Sequence, residues 1–150
     1  MTKQLNYKIM AGNQTFTIIK PRAVERNLIG PILARINQEG FVIKAMKFIK
    51  LKKEQAGFFY GEHRDKPFFD ELTTFMSSSP IVVAILEKEN AVTDFRTLIG
   101  NTDPLKAEED TIRHNFAESK THNAVHGSDS DESAIRESDF FFSRVERYDL

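Results

Sequence analysis

The densest polar run in the 150-residue chain is Asn123-Ala124-Val125-His126-Gly127-Ser128-Asp129. Histidine can act as a nucleophile or a general base near neutral pH. Set before Gly-Ser and just ahead of a helix start, His126 reads as an exposed, conformationally defined site. To attack, its ring needs a partner that fixes one nitrogen and leaves the other free. Glu137, two turns into the following helical pattern, can fold back to do this. The same spacing also suits a histidine that simply satisfies a turn near a helix cap, and spacing alone leaves both readings open. Metal readings fit less well. His122 and His126 have i, i+4 spacing, but position 123 is Asn rather than the Glu of the zincin pattern. Asp129-Ser130-Asp131 begins like a calcium loop, yet its sixth position is Ala134 rather than glycine.

No GxxxxGK[ST] and no GxGxxG occurs, so any nucleotide phosphates must be held by side chains. Lys20 at a strand end, Arg96 on a helical pattern and Arg113 in an aperiodic stretch would together make a three-cation phosphate clamp. Taken singly, each also suits a surface charge, Lys20 as a snorkelling side chain. Phe68 and Phe69 open an apolar helical pattern. Two adjacent phenylalanines cannot both face one core, so one is left for another surface, such as a nucleotide base.

These residues hang on a chain that alternates strands and helices. Thr15 to Ile19 alternates and is β-branched, a strand ended by Pro21. Ile29, Ile32, Leu33 and Ile36 mark one helix face, with Gly40 as its cap. Phe41 to Leu51 reads as a long strand whose alternation slips near Met46, the sign of a bulge. Helices follow over Glu54 to Tyr60 and along Phe68, Leu72, Phe75 and Met76. Ile81 to Leu86 is a continuous apolar run, expected to be a strand buried on both faces. Ala91, Phe95, Leu98 and Ile99 give a helix stopped by Gly100. Asn101 to His122 shows no period, and an irregular stretch this long inside a domain is usually functional. Asp129-Ser130-Asp131-Glu132 resembles a capping box. The last helix uses Ala134, Ile135, Phe141 and Phe142 as apolar positions.

Composition narrows the class. Hydrophobic residues make up 40% of the chain and there is no cysteine, which excludes disulfides, thiolate metal sites and a cysteine nucleophile. The longest apolar run is far short of a membrane span. Met1 to Lys8 lacks the apolar core of a secretory signal, so the expectation is a cytoplasmic protein. Net charge is −1, but residues 1–66 carry 13 Lys and Arg against 5 Asp and Glu, while residues 103–139 carry 4 against 10. This fits either two solvated faces of opposite sign or a basic half that attracts an anion. Nucleic-acid binding would rest on that basic half alone, without interleaved exposed aromatics, and is not expected.

The sequence resembles the nucleoside diphosphate kinase family, most specifically through Asn123-x-x-His126-Gly127-Ser128-Asp129. In family order it also has Thr15 to Pro21, Phe59-Tyr60-x-x-His63, Lys66-Pro67-Phe68-Phe69 and Pro80 to Val83. Arg96-x-x-x-Gly100-x-Thr102-x-Pro104, Thr111-Ile112-Arg113, Phe116-Ala117 and Arg136-Glu137 follow. The resemblance implies an α+β fold: a ferredoxin-like βαββαβ antiparallel sheet covered by helices, with an inserted helical hairpin. It implies one domain over residues 14–150 after an N-terminal extension of residues 1–13. It further implies ping-pong transfer of a γ-phosphate between nucleoside tri- and diphosphates, ATP among them, through a phosphohistidine on His126. Glu137 matches the carboxylate that orients the ring and Ser128 a supporting donor. Lys20, Tyr60, Arg96, Thr102, Arg113 and Asn123 match phosphate- and ribose-holding positions. Phe68 matches the base-stacking residue and Leu72 its apolar neighbour. Mg²⁺ is expected on the nucleotide phosphates rather than in a protein cage, and the assembly as a homo-oligomer, a hexamer before a tetramer. No membrane partner is expected. The alternative is a fold relative serving as a binding or regulatory module, against which the retained site residues argue. Two positions depart from the pattern. Arg22 stands where an acidic residue is usual, which questions the anchoring of the first helix, and Ser79 replaces a glycine before Pro80.

Overall fold

A computed structural model describes residues 12–150. Of the expected extension, residues 1–11 lie outside the described residues. Asn13 is described, and its carbonyl accepts the backbone N–H of Lys88.

Strand β1 (Gln14–Ile19) and strand β3 (Ile81–Glu87) form the centre of a four-stranded sheet, flanked by β2 (Val42–Ile49) and β4 (Val125–Gly127) in the order β2-β3-β1-β4. The described pairings are all antiparallel. Ile81 to Leu86 is buried throughout, as its unbroken apolar run predicts. In a half-exposed antiparallel sheet one face would be polar; here both faces are covered.

Ile19, Val82, Ala84 and Leu86 point into a core with helix α2 (Ile29–Gln38) and helix α5 (Ala91–Ile99). Phe16, Ile18, Ile81, Val83 and Ile85 point into a second core. That core is closed by a hairpin of helices α3 (Lys53–Phe59) and α4 (Phe69–Met76), and by helix α7 (Asp131–Phe141). The hairpin lies between β2 and β3, so the order is βαββαβ with an inserted helical pair, the ferredoxin-like arrangement expected. No helix among the described residues is long and apolar enough to cross a membrane.

Several local expectations are corrected. Pro21 does not only end β1; it opens a short helix α1 (Pro21–Glu25), for which its fixed φ is suited. The register slip in β2 falls between Ile43 and Ala45 rather than at Met46. The stretch from Asn101 to His122 contains helix α6 (Ile112–Phe116), started by Thr111, whose side chain accepts the N–H of His114. Helix α7 is capped by Ser130 alone, which accepts from Ser133, without the reciprocal bond of a capping box. Ile135 is 42% exposed, whereas Ala134 is buried and Phe141 enters the second core. The two departures are absorbed. Arg22 Nε donates to Glu118 Oε1 at 2.6 Å, tying α1 to the segment before β4. Ser79 is not among the positive-φ residues, so its turn has no need of glycine.

Candidate active site

Strand β4 is only three residues long, and β1 holds it in place. Its pairing sets Ile18 opposite His126, and Thr17 Oγ1 donates to the His126 carbonyl at 2.8 Å. Gly127 lets the strand lie close to α5: a Cβ there would stand 3.0 Å from Phe95 Cδ2 and 3.1 Å from Ile99 Cδ1. The His126 side chain is therefore carried on a strand rather than a turn, and only 22% of it is exposed. Phe16 and Phe59 flank the ring, with centroids 6.2 and 6.1 Å away.

Glu137, on the second turn of α7, does fold back. Its Oε1 lies 2.9 Å from His126 Nε2 and accepts Ser128 Oγ at 2.6 Å. Ser128 is fully buried, and its Oγ in turn accepts the Phe16 N–H at 3.3 Å. A carboxylate can only accept here, so Nε2 carries the ring proton and Nδ1 is the basic nitrogen. Tyr60, at the C-terminal end of α3, lines the same cavity. Burial, and then the charge of Glu137, push its phenol well above the usual range.

The cavity is about 320 Å³ and also takes in Lys20, Arg96, Thr102, Arg113 and Asn123. Lys20 and Arg113 are held by hydrogen bonds before any ligand arrives. Lys20 Nζ donates to Asn123 Oδ1 at 2.8 Å, and its backbone N–H to the Ala124 carbonyl at 2.9 Å. Ala124 has a positive φ of 73°, a left-handed kink between Asn123 and β4. Arg113 donates to the carbonyls of Gly100, Asn123 and Val125 at 2.9, 3.3 and 3.0 Å. Gly100 has φ 83°, and a Cβ there would lie 2.7 Å from Thr111 Oγ1. So the start of the 101–122 segment is packed directly on the cap of α6. Burial, and then the charge of Arg113, lower Lys20 to about 8. Burial, and then Arg96, lower Arg113 to about 10. Cations crowded in this way favour an anion between them.

Phe68 and Leu72 stand apart from this cavity. They line a neighbouring cleft of about 290 Å³ with Glu71, Phe75, Thr121 and His122. Phe68 is 47% exposed, which rules out the core reading. His63 joins the two spaces: it lines the phosphate-sized cavity, and its ring lies 5.5 Å from Phe68. Of the expected site residues, then, eight share one cavity, Ser128 sits behind it, and two form an adjoining platform. Glu62 and Asp129 also line the cavity and were not singled out. Asp129 ends the His126 motif and had that signal; Glu62 lies on a single 3-10 turn (Gly61–His63) that has no sequence period.

A family model described as nucleoside diphosphate kinase matches residues 13–147. The chain belongs to the nucleoside diphosphate kinase family. It is 55% identical over 139 residues to a nucleoside diphosphate kinase of Histophilus somni (strain 2336), covering 93% of this chain and 99% of that one. It is 56% identical over 133 residues to one of Chlorobaculum tepidum, covering 89% and 95%. Among solved structures it superimposes on the Aquifex aeolicus nucleoside diphosphate kinase with TM-score 0.88 at 47% identity, covering 91% and 99%. It superimposes on a halophilic nucleoside diphosphate kinase from Halobacterium salinarum, solved with CDP, with TM-score 0.87 at 37% identity, covering 93% of each. The enzyme is thus a nucleotide-binding phosphotransferase. It moves a γ-phosphate from a nucleoside triphosphate to a nucleoside diphosphate by a ping-pong route through a phosphohistidine.

Proposed function

We propose that His126 is the histidine that carries the phosphoryl group, and that it attacks through Nδ1. The observation that carries this is the 2.9 Å contact of Nε2 with the buried Glu137 carboxylate, inside a cavity ringed by Lys20, Arg96 and Arg113. The Nδ1 lone pair forms the new N–P bond as the P–O bond to the leaving diphosphate breaks. The ring keeps its Nε2 proton and gains positive charge, which Glu137 offsets. In the second half-reaction a terminal oxygen of another diphosphate takes the phosphorus, and the N–P electrons return to Nδ1. Atoms and charge balance without any group other than the two nucleotides.

Phosphoryl transfer asks the protein mostly for positioning and charge neutralisation. Lys20, Arg96 and Arg113 neutralise the phosphates, with Thr102 and Asn123 as hydrogen-bonding neighbours and Tyr60 against the ring. Phe68 stacks on the base, with Leu72 beneath it; stacking reads no base edge, so broad base tolerance follows. ATP is the expected donor. Mg²⁺ suits this site as a passenger on the nucleotide phosphates. The cavity sets Lys20, Arg96 and Arg113 beside Glu62, Asp129 and Glu137, and with Glu137 turned to His126, Asp129 and Glu62 are the carboxylates that would face such an ion. When bound it spreads the developing phosphate charge.

The same proposal has the enzyme act in the cytoplasm as a homo-oligomer, a hexamer before a tetramer. Residues 101–122 would pack on neighbouring copies, a reading supported by Leu105, which is 93% exposed within that segment. Pro104→Ser should then make subunits separate at lower urea in sedimentation, with little change in turnover of the intact enzyme. The direct test of the chemistry is a pulse of γ-labelled ATP, followed by a chase with a second nucleoside diphosphate. Acid-labile label must appear on the protein and leave with the diphosphate.

A further inference from the structure

Glu137 has two oxygens, and only one of them is occupied. Oε1 takes both His126 Nε2 and Ser128 Oγ. Oε2 has no hydrogen bond among the described residues. The side chain is 7% exposed, and a carboxylate withdrawn from water needs a compensating charge. His126 in its attacking form is neutral and supplies none. Ser128 and Tyr60, the other groups against the carboxylate, are neutral as well. The Lys or Arg nitrogen within 4.0 Å of Glu137 among the described residues belongs to its own neighbour in sequence, Arg136, whose Nη2 stands 3.9 Å from Oε2.

The same Nη2 is 3.6 Å from Glu62 Oε1, on the 3-10 turn that follows Tyr60. One guanidinium nitrogen therefore lies between two carboxylates, one from helix α7 and one from the helical hairpin. Arg136 is not among the residues that line the cavity.

We propose that Arg136 is a positioning residue for the phosphotransfer, because its guanidinium lies between Glu137 Oε2 and Glu62 and so biases the orientation of the carboxylate that orients His126. The inference rests on the proposed role of the His126–Glu137 pair. Turning the carboxylate about its Cγ–Cδ bond moves Oε1, and with it the ring and the direction of the Nδ1 lone pair. A positive charge 3.9 Å from Oε2 favours one rotation of the carboxylate over the others. The bias matters most as the ring gains charge on accepting the phosphoryl group, so the effect belongs to the chemical step rather than to nucleotide capture.

Single-turnover phosphorylation by γ-labelled ATP separates the two, using the full-length chain. Arg136→Ala should lower the maximal rate about three- to fivefold, the range open to a half-exposed ion pair, and leave the ATP concentration for half-maximal rate unchanged. Arg136→Lys keeps a cation at the position and should recover at least half of the loss. A purely structural role predicts lower thermal stability without a selective loss in the maximal rate. An alanine variant at the parent's rate, a defect confined to ATP affinity, or a lysine variant no better than alanine would overturn the proposal. If instead His126→Ala still takes label, the underlying reading of the site has failed, and that result is distinct from any outcome at Arg136.

Discussion

The proposed phosphate cavity and the proposed base cleft adjoin, yet they are built in different ways. In the cavity the central groups are held: Arg113 by three backbone carbonyls, Lys20 by the Asn123 side chain, and His126 on a strand paired to β1. The base cleft offers a half-exposed phenylalanine at the mouth of α4, above Leu72 and Phe75, which pack on the second core. The difference follows from the chemistry. In-line phosphoryl transfer tolerates little misplacement, whereas an enzyme that serves many nucleotides gains nothing from a cleft shaped to one base. On the proposed reading, held groups lie where bonds change and an exposed stacking surface where substrates differ.

The sharpest way to break this contrast is at its rigid end. His126→Ala should abolish the phosphoenzyme and overall transfer while leaving circular dichroism and assembly as in the parent. His63, His114 and His122 should each be replaceable with the phosphoenzyme retained. Label that persists on the His126 variant would put the chemistry elsewhere and leave the cavity's order without a purpose.

The next effect is on the scaffold that gives the cavity its rigidity. Gly127→Val places a side chain where even a Cβ would stand 3.0 Å from Phe95. Overpacking of this kind costs about 1–3 kcal/mol, and because the clash pushes on β4 it should also displace His126. The expected outcome is a lower urea midpoint together with a slower phosphorylation step. A midpoint equal to the parent's would mean that β4 can shift freely, against the rigid reading.

At the loose end, Phe68→Ala should weaken nucleotide binding by roughly 1–3 kcal/mol, the worth of one base–aromatic stack. Titrations with purine and pyrimidine diphosphates should show similar losses. Because Phe68 is 47% exposed, thermal stability should hardly change. A loss confined to one base class would show that the cleft reads base edges and is more specific than its openness suggests.

How much of this was visible beforehand also divides along structural lines. The long periodic elements were legible, because α2 and α5 show their buried stripes over two or more turns and β3 is apolar throughout. The short ones were not. Helices α1 and α6 each have five residues, too few to display a 3.6 period, and they are recognised only through Pro21 and Thr111 at their starts. The bulge in β2 was misplaced because alternation on an edge strand is weak: Met46 and Phe48 are both exposed there. For the site, residue types named the participants, and the His126 motif fixed their family. Glu62 and the bridging position of Arg136 emerged only when the hairpin closed over α7. That contact joins residues far apart in sequence, and neither segment announces it.

A test that needs no loss of a contact asks whether the cavity's cations are held ready at a cost. Lys20 is lowered to about 8 in the folded chain, chiefly by burial and then by Arg113, from an ordinary 10.5. Between those two values the unfolded chain holds more protons than the folded one, so stability of the free enzyme should rise with pH across the window from about 8 to 10.5. Below 8 the folded lysine stays charged and the full penalty of crowding it against Arg113 is present. Nucleotide binding should run the other way. A bound phosphate keeps Lys20 protonated, so affinity should weaken as pH climbs through 8, by at most about tenfold per pH unit for one proton. Urea midpoints and nucleotide titrations of the parent and of Lys20→Met from pH 7 to 9.5 check both slopes. The variant should lose the rise in stability and the fall in affinity together. A parent whose two slopes match those of Lys20→Met would mean that the lysine is not strained in the empty cavity, and that the phosphate end is less preorganised than its hydrogen bonds imply.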